Sequence, residues 1–443
     1  MKKQPMAAQP PKVQRVEGQP VKRQAEKSRP LKKEQATAQG RNAQRTLNLV
    51  LATATSVVCF WAWNVVATLG ARYTQQLHLN PATTGLLVAM PIFVGSLGRI
   101  VVGTLTDRFG GRVMFTFVLL ATVPPVLLVA LGGTLNSFAV VLIAGLLLGV
   151  AGTVFAVGIP FVSAWYPPDR RGFATGVFGA GMGGTAVAAF LNPRLVAAIG
   201  YLPTHLLIAA LLVAMAAVVW FLMKEAPGWS SNTAPVIPKL TDAARIGVTW
   251  KMCFLYAVVF GGFVSFATYL PTYLRDVYHF DPSAAGARTA GFALAAVIAR
   301  PIGGIIADRI GSKPVVIVSL AAVAVLGWLV NLTPNGDIPA GLTFLAMAAA
   351  LGLGTGGVFA WLGVLSPPGR VGSISGIVSA AGGLGGYFPP LVMGATYNPV
   401  TNSYSIGLVL LVVTALVALV FTVVAVGDRS RPGAPGHRPA SGT

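Results

Sequence analysis

Two arginines, Arg99 and Arg300, stand in long apolar stretches that hold no acidic residue to neutralise them. A guanidinium cannot shed its proton, and leaving it unpaired in hydrocarbon costs at least a few kcal/mol. The chemistry open to such a pair is anion capture. The planar fork offers two parallel N–H donors, which suit a small planar or bent oxyanion; phosphate and carboxylates accept the same fork. The plain alternative is that each arginine bonds backbone carbonyls at a helix break. Each arginine also opens the same string, Arg99-x-x-x-Gly103-x-x-x-Asp107-Arg108-x-Gly110 and Arg300-x-x-x-Gly304-x-x-x-Asp308-Arg309-x-Gly311.

The elements that hold these residues are membrane helices. The chain is 54% hydrophobic and 10% charged, with mean hydropathy +0.72, which excludes an ordinary soluble domain. Apolar runs of the roughly 20 residues needed to cross a bilayer recur from Leu47 to Val426. Twelve are counted, so the expected fold is an all-α integral membrane protein of twelve transmembrane helices. Arg99 and Arg300 each precede the aspartate of their string by eight residues, about 12 Å along a helix. In a hydrocarbon core about 30 Å thick, that depth is close to the midplane.

A net charge of +20 would suggest nucleic acid in a soluble protein, but its distribution argues otherwise. Residues 1–46 carry twelve Lys/Arg against three Glu. The remaining basic residues cluster in alternate loops, and the opposite loops hold only a scatter, such as Arg72, Arg275 and Arg288. This positive-inside pattern expects a multi-pass protein of the cytoplasmic membrane with both termini cytoplasmic. The tail 1–46 has scarcely any large apolar residue and is expected to be disordered. It either sets topology or attracts anionic lipid headgroups. Residues 428–443, rich in Pro and Gly, are read as a second disordered cytoplasmic tail. Cys59 and Cys253 lie within spans and imply neither a disulfide framework nor a metal site. No histidine cluster, nucleotide-binding loop or catalytic constellation is present, so no metal, cofactor, nucleic-acid partner or enzyme activity is expected.

The marks repeat. Arg171-Gly172-x-x-x-Gly176-x-x-Gly179-x-Gly181-x-Gly183-Gly184 answers to Arg370-x-Gly372-x-x-x-Gly376, continued by Gly382-Gly383-x-Gly385-Gly386. Gly152-x-x-Phe155-Ala156 answers to Gly356-x-x-Phe359-Ala360. This reads as a duplication: a six-helix half over 47–223, a cytoplasmic linker over 224–246 and a second half over 247–427. In such pseudo-symmetric folds the substrate sits near the midplane between halves that rock against each other.

The strings around Asp107-Arg108 and Asp308-Arg309 resemble the loop motif of the major facilitator superfamily. The arginine ahead of each motif and the glycine-rich fifth and eleventh spans resemble, more narrowly, the nitrate/nitrite porter family. The likeness runs from Leu47 to Val426. It implies a secondary transporter of nitrate and nitrite, working as a monomer, with Arg99 and Arg300 as the substrate clamp. It also implies aromatic groups around the anion, here Phe155, Phe359, Tyr256 and Phe260, each of which could instead be plain core. Ser379 is a candidate hydroxyl donor. Gly176, Gly179, Gly181, Gly183, Gly184, Gly382, Gly385 and Gly386 are expected where helices approach or slide. Asp107, Arg108, Asp308 and Arg309 are expected to latch the cytoplasmic side or simply to form tight basic turns. Two polar amides common in the family are absent, one at Met182 and one near Thr355.

All twelve acidic residues fall in tails, loops or helix ends, so no deep carboxylate serves as a proton site. Exchange of one anion for another needs none, and nitrate/nitrite antiport is the expected mode. Proton-coupled nitrate symport and carriage of an organic anion on the same fold are the alternatives; a membrane receptor is disfavoured by the short loops.

Overall fold

The computed structural model describes residues 21–167, 170–227, 229–231, 236–333, 337–367 and 370–426. The described residues fall into two units that divide between Leu47 and Asn48. Twelve long helices are present among the described residues: α1 (Val21–Trp63), α2 (Pro81–Phe109), α3 (Gly111–Thr134), α4 (Phe138–Trp165), α5 (Phe173–Ile199), α6 (Tyr201–Leu222), α7 (Gly247–Tyr278), α8 (Pro282–Ile310), α9 (Ser312–Asn331), α10 (Asp337–Leu365), α11 (Val371–Ala395) and α12 (Ser405–Ala425). Eleven contain a segment apolar and long enough to span a bilayer. The twelfth, α11, is diluted by glycine, serine and proline, although its length suffices.

One difference from expectation lies at the N-terminus. Residues 21–46, expected as part of a disordered tail, belong to a helix. Their Gln, Lys, Ala and Glu are good helix formers, so the lack of apolar residues denies them a core without denying them a helix. Residues 1–20 and the tail 428–443 lie outside the described residues. Within the expected linker a short helix runs Val236–Ala244.

The duplication is visible in how the helices begin, end and pack. Helices α2 and α8 are both 29 residues long. Each starts with a proline behind a side-chain cap, Asn80 Oδ1 accepting from Thr83 N and Asp281 Oδ1 from Ser283 N and Ala284 N. Each ends on a glycine at positive φ, Gly110 at 87° and Gly311 at 96°, a backbone conformation open to glycine and costly for other residues. Packing repeats too: α2 on α4 and α8 on α10, α3 on α6 and α9 on α12. Across the expected halves, α2 packs on α11 and α5 on α8, which is why both halves fall in one compact unit.

The interior is apolar, and unlike that of a soluble protein the outer surface is apolar too, as a bilayer demands. Helices α6 and α12 expose most of their apolar surface, including Phe221 and Val424, whereas α7 is almost wholly enclosed. The two ends of the bundle differ. One carries Arg108, Arg112, Arg309 and Lys313 and is called the basic face. At the other, helices of opposite halves meet backbone to backbone: a Cβ on Gly85 would lie 2.5 Å from Pro390 O, one on Gly394 2.3 Å from Pro81 O, and one on Gly286 2.3 Å from Ala189 O.

Candidate anion-binding site

The matching lengths and caps of α2 and α8 put Arg99 and Arg300 at the same position in each helix. Glycines on the neighbouring helices give them room. A Cβ on Gly356 of α10 would fall 2.0 Å from the Arg300 carbonyl oxygen. On α4, Gly152 lies beside Gly95 of α2, in a short 3₁₀ stretch, Gly149–Thr153. One turn later Phe155 and Phe359 turn their rings to the guanidinium groups. The repeated Gly-x-x-Phe mark therefore combines a close approach with an aromatic wall.

Arg99 is buried, at 6% exposure. Its Nη1 donates to the Ser379 carbonyl oxygen at 3.0 Å and to Ser379 Oγ at 3.2 Å, and its Nε donates to Gly152 O at 3.4 Å. Arg300 is half-buried. Its Nη1 donates to Met182 Sδ at 3.2 Å and its Nη2 to Tyr256 Oη at 3.2 Å. The Arg99 bonds realise the plain alternative of carbonyl pairing in part, whereas the acceptors that Arg300 meets among the described residues are a thioether and a phenol. Every one of these acceptors is neutral. Ser379 and Met182 also come from the half opposite to their arginine.

The aromatic residues gather around this pair. The Arg99 guanidinium carbon lies 5.8 Å from the centre of the Phe155 ring and 5.9 Å from that of Phe260; the Arg300 carbon lies 5.4 and 5.7 Å from the same two rings and 5.6 Å from Phe359. Ring faces carry partial negative charge, so two cations without a carboxylate are steadied by the π-clouds they share. Tyr256 stacks on Phe260 at 4.8 Å and meets Phe359 edge-on at 4.8 Å. As an acceptor from Arg300, the Tyr256 oxygen still has its own proton to donate, and so has Ser379 Oγ. A narrow cavity runs beside Arg300, lined by Gly179, Met182, Phe260, Phe263 and Thr355. Thr355 Oγ1 is turned to its own helix, donating to Leu351 O at 2.7 Å.

The glycine strings divide into two kinds. Gly181 and Gly184 press on α1, where a Cβ would reach 2.4 Å from Ser56 Cβ and 2.1 Å from Val57 O. Gly382, Gly385 and Gly386 press on α7, at 2.1 Å from Tyr256 Cδ1, 2.3 Å from Ala257 O and 2.9 Å from Val264 Cβ. Gly382 thus leaves the space that the Tyr256 ring fills. At Gly176, Gly179 and Gly183 a Cβ would meet nothing within 4 Å among the described residues, so these three make no close approach. The contrast supplies a prediction. Gly184→Ala is expected to lower the melting temperature by several degrees in detergent, because backbone blocks the new methyl, while Gly183→Ala leaves it unchanged. Equal melting curves for the two variants would contradict this division.

Several contributors were not singled out from the sequence. Gly85 and Gly286, the closure points away from the basic face, share the offset that relates the two arginines, and extending the repeat comparison upstream would have found them. Glu225 accepts from the backbone N–H of Arg112 at 2.7 Å and so caps α3 at the basic face. Arg108 lies over its neighbour Phe109, and its carbonyl oxygen accepts from Ser231 Oγ at 2.7 Å.

Residues 51–288 and 252–442 match the sequence profile of the Major Facilitator Superfamily. The chain is 56% identical over 375 residues to a Mycobacterium tuberculosis protein named probable nitrate/nitrite transporter NarK2, covering 85% of this chain and 95% of that one. It is 32% identical to the nitrite extrusion protein of Bacillus subtilis, covering 85% of this chain and 93% of that one. A Thermus thermophilus protein named probable nitrate/nitrite antiporter NarK1 is 33% identical, with 81% and 87% covered. Among solved structures, a bacterial homolog of the human lysosomal transporter Spinster, inward-facing and unoccupied, superposes with a TM-score of 0.66 at 18% identity, over 86% of this chain and 97% of that one.

Proposed function

The chain belongs to the Major Facilitator Superfamily and, within it, to the nitrate/nitrite porters, and from that premise we propose that it exchanges nitrate and nitrite across the cytoplasmic membrane by alternating access. One observation carries the reading of the site. Two guanidinium groups, one from each half, face the same pair of aromatic rings, and all of their hydrogen-bond acceptors are neutral. Two fixed positive charges in a low dielectric favour a small anion, and the forks match planar nitrate or bent nitrite.

In this reading the anion lies between Arg99 and Arg300, against the rings of Phe155, Phe260 and Phe359, with Tyr256 and Ser379 donating hydroxyl protons. The same electrostatics favours antiport. An empty site must carry two uncompensated cations through the closed state, whereas a filled one carries a partly neutralised pair, so return without an anion is slow. Helices α2, α5, α8 and α11, which join the halves, are the moving contacts, and Asp107, Arg108, Asp308 and Arg309 belong to the latch on the basic face. That face is cytoplasmic, which leaves both termini inside. The protein works as a monomer, and its basic N-terminal tail draws anionic lipid.

The test is exchange in proteoliposomes. Nitrite-loaded vesicles are expected to take up external nitrate at a rate that needs internal nitrite and ignores an imposed pH gradient. Uptake into empty vesicles that follows the pH gradient would favour proton symport and overturn the antiport reading.

A further inference from the structure

The arginines of the sparsely charged loops looked like scatter in the sequence, yet the fold gathers them. A cavity of about 620 Å³ opens at the face opposite the basic loops, lined from both halves, with Arg72, Gln75 and Pro193 on one side and Arg275, His279 and Ser283 on the other. The third such residue, Arg288, stacks on the lining residue Phe280 with its guanidinium carbon 3.9 Å from the ring centre. Two acidic groups lie nearby, each with hydrogen-bond partners of its own. Asp281, which also lines the cavity, accepts from two backbone N–H groups as the cap of α8. Asp276 accepts from Tyr404 Oη at 2.5 Å and does not line the cavity.

The cations are held in place. Arg275 Nη1 donates to Ala71 O at 2.5 Å, tying the end of α7 to the segment after α1. The Arg72 guanidinium carbon lies 4.9 Å from the Tyr201 ring centre. The cavity also stands at the door of the central site. Pro193 forms part of its wall and lies 3.2 Å from where a Cβ on Gly286 would be, beside the contact of Gly286 with Ala189 that shuts α5 against α8.

We infer that this cavity is an anion antechamber, a second and weaker binding site that collects a small monovalent oxyanion outside the closed gate before the central arginines receive it. The proposal rests on the transport reading for the identity of the anion, though not for the existence of the site. A cationic cleft with low-dielectric walls raises the local concentration of an opposite charge and speeds its capture. Partial screening by Asp281 and the width of the cavity make the hold loose, which suits a waiting place that must release its anion inward.

The test separates capture from turnover. In proteoliposomes at low ionic strength, the double variant Arg72→Gln/Arg275→Gln is expected to raise the KM for external nitrate about tenfold while kcat stays within about twofold. Raising the salt to about 0.5 M should collapse the difference, because screening removes what the cations contribute. Arg72→Lys/Arg275→Lys should restore the low-salt KM. An unchanged KM at low salt, or a rise that persists in salt together with a loss of kcat, would overturn the antechamber. A second arm needs no transport. In the detergent-purified protein, nitrate is expected to slow modification of Arg72 and Arg275 by phenylglyoxal, read by mass spectrometry, also when Arg99 and Arg300 are both glutamine. Modification rates indifferent to nitrate would overturn the site, whereas absence of nitrate uptake by the unmodified protein would count against the transport reading alone.

Discussion

Arg300→Lys is expected to lower nitrate/nitrite exchange by about 10- to 100-fold, and Arg99→Lys by at least as much. A hydrogen bond to a charged group contributes about 1.5–3 kcal/mol, and each 1.4 kcal/mol is a factor of ten. Arginine at position 300 spends Nη2 on Tyr256 and Nη1 on the weak acceptor Met182 Sδ, so its fork keeps donor capacity for an anion. A lysine ammonium is a shorter, point-like donor that cannot serve Tyr256 and present a parallel pair to nitrate. At position 99 the substitution also removes the bonds that reach across the halves to Ser379. Exchange rates and nitrate-dependent thermal stabilisation measured on both variants decide the matter. Near-normal values in both would reject the clamp, because charge alone would then suffice.

Gly85→Ala/Gly286→Ala should be the other strongly impaired variant, by a different route. Each methyl would meet a backbone carbonyl of the opposite half, 2.5 Å from Pro390 O and 2.3 Å from Ala189 O. No rotamer change can relieve backbone, so α2 and α11, and α8 and α5, must part. Overpacking of this kind costs about 1–3 kcal/mol per site, which depletes the closed state by about 5- to 150-fold for each. Exchange falls because the carrier no longer shuts the face away from the basic loops. The central site remains intact, so nitrate still binds. The readout is a cysteine at Gly179, beside the central cavity and in open space. An impermeant thiol reagent added on the extracellular side should label Gly179→Cys faster in the double-alanine background, with buried Cys59 and Cys253 giving little signal. Unchanged labelling together with unchanged exchange would show that these glycines do not set the closure.

Much of the site was legible in the chain. The repeat of Arg-x-x-x-Gly-x-x-x-Asp-Arg pointed to both arginines and their common depth, and the family resemblance pointed to the aromatic rings. Tyr256 and Phe260 stood one turn apart on α7, the most enclosed helix, and the structure brings both to the arginines. What stayed hidden was partnership. That Arg99 would find Ser379, 280 residues away, and Arg300 the sulfur of Met182 follows from which faces of α2, α5, α8 and α11 meet. The glycine strings, read uniformly as places where helices approach or slide, also divide, since Gly176, Gly179 and Gly183 make no close approach among the described residues. A glycine in a sequence shows that a side chain is absent and leaves open whether another helix uses the space.

The division between sequence and tertiary structure has a physical cause. The sequence by itself determined the number of spans, the duplication, the sidedness of charge and the presence of two deep cations. Those rest on local quantities: the length of an apolar run, the helical rise and the cost of a charge in hydrocarbon. Only the tertiary structure decided that the rings turn their faces to both guanidinium groups, that Gly85 and Gly286 seal one end, and that Arg72 and Arg275 share a cavity. Lipid is as apolar as a helix surface, so hydrophobicity gives no preference for one neighbour over another. Helix association in the bilayer is decided by shape, close backbone approach and a few hydrogen bonds. Each of these depends on two segments far apart in the chain, and neither segment carries the answer alone.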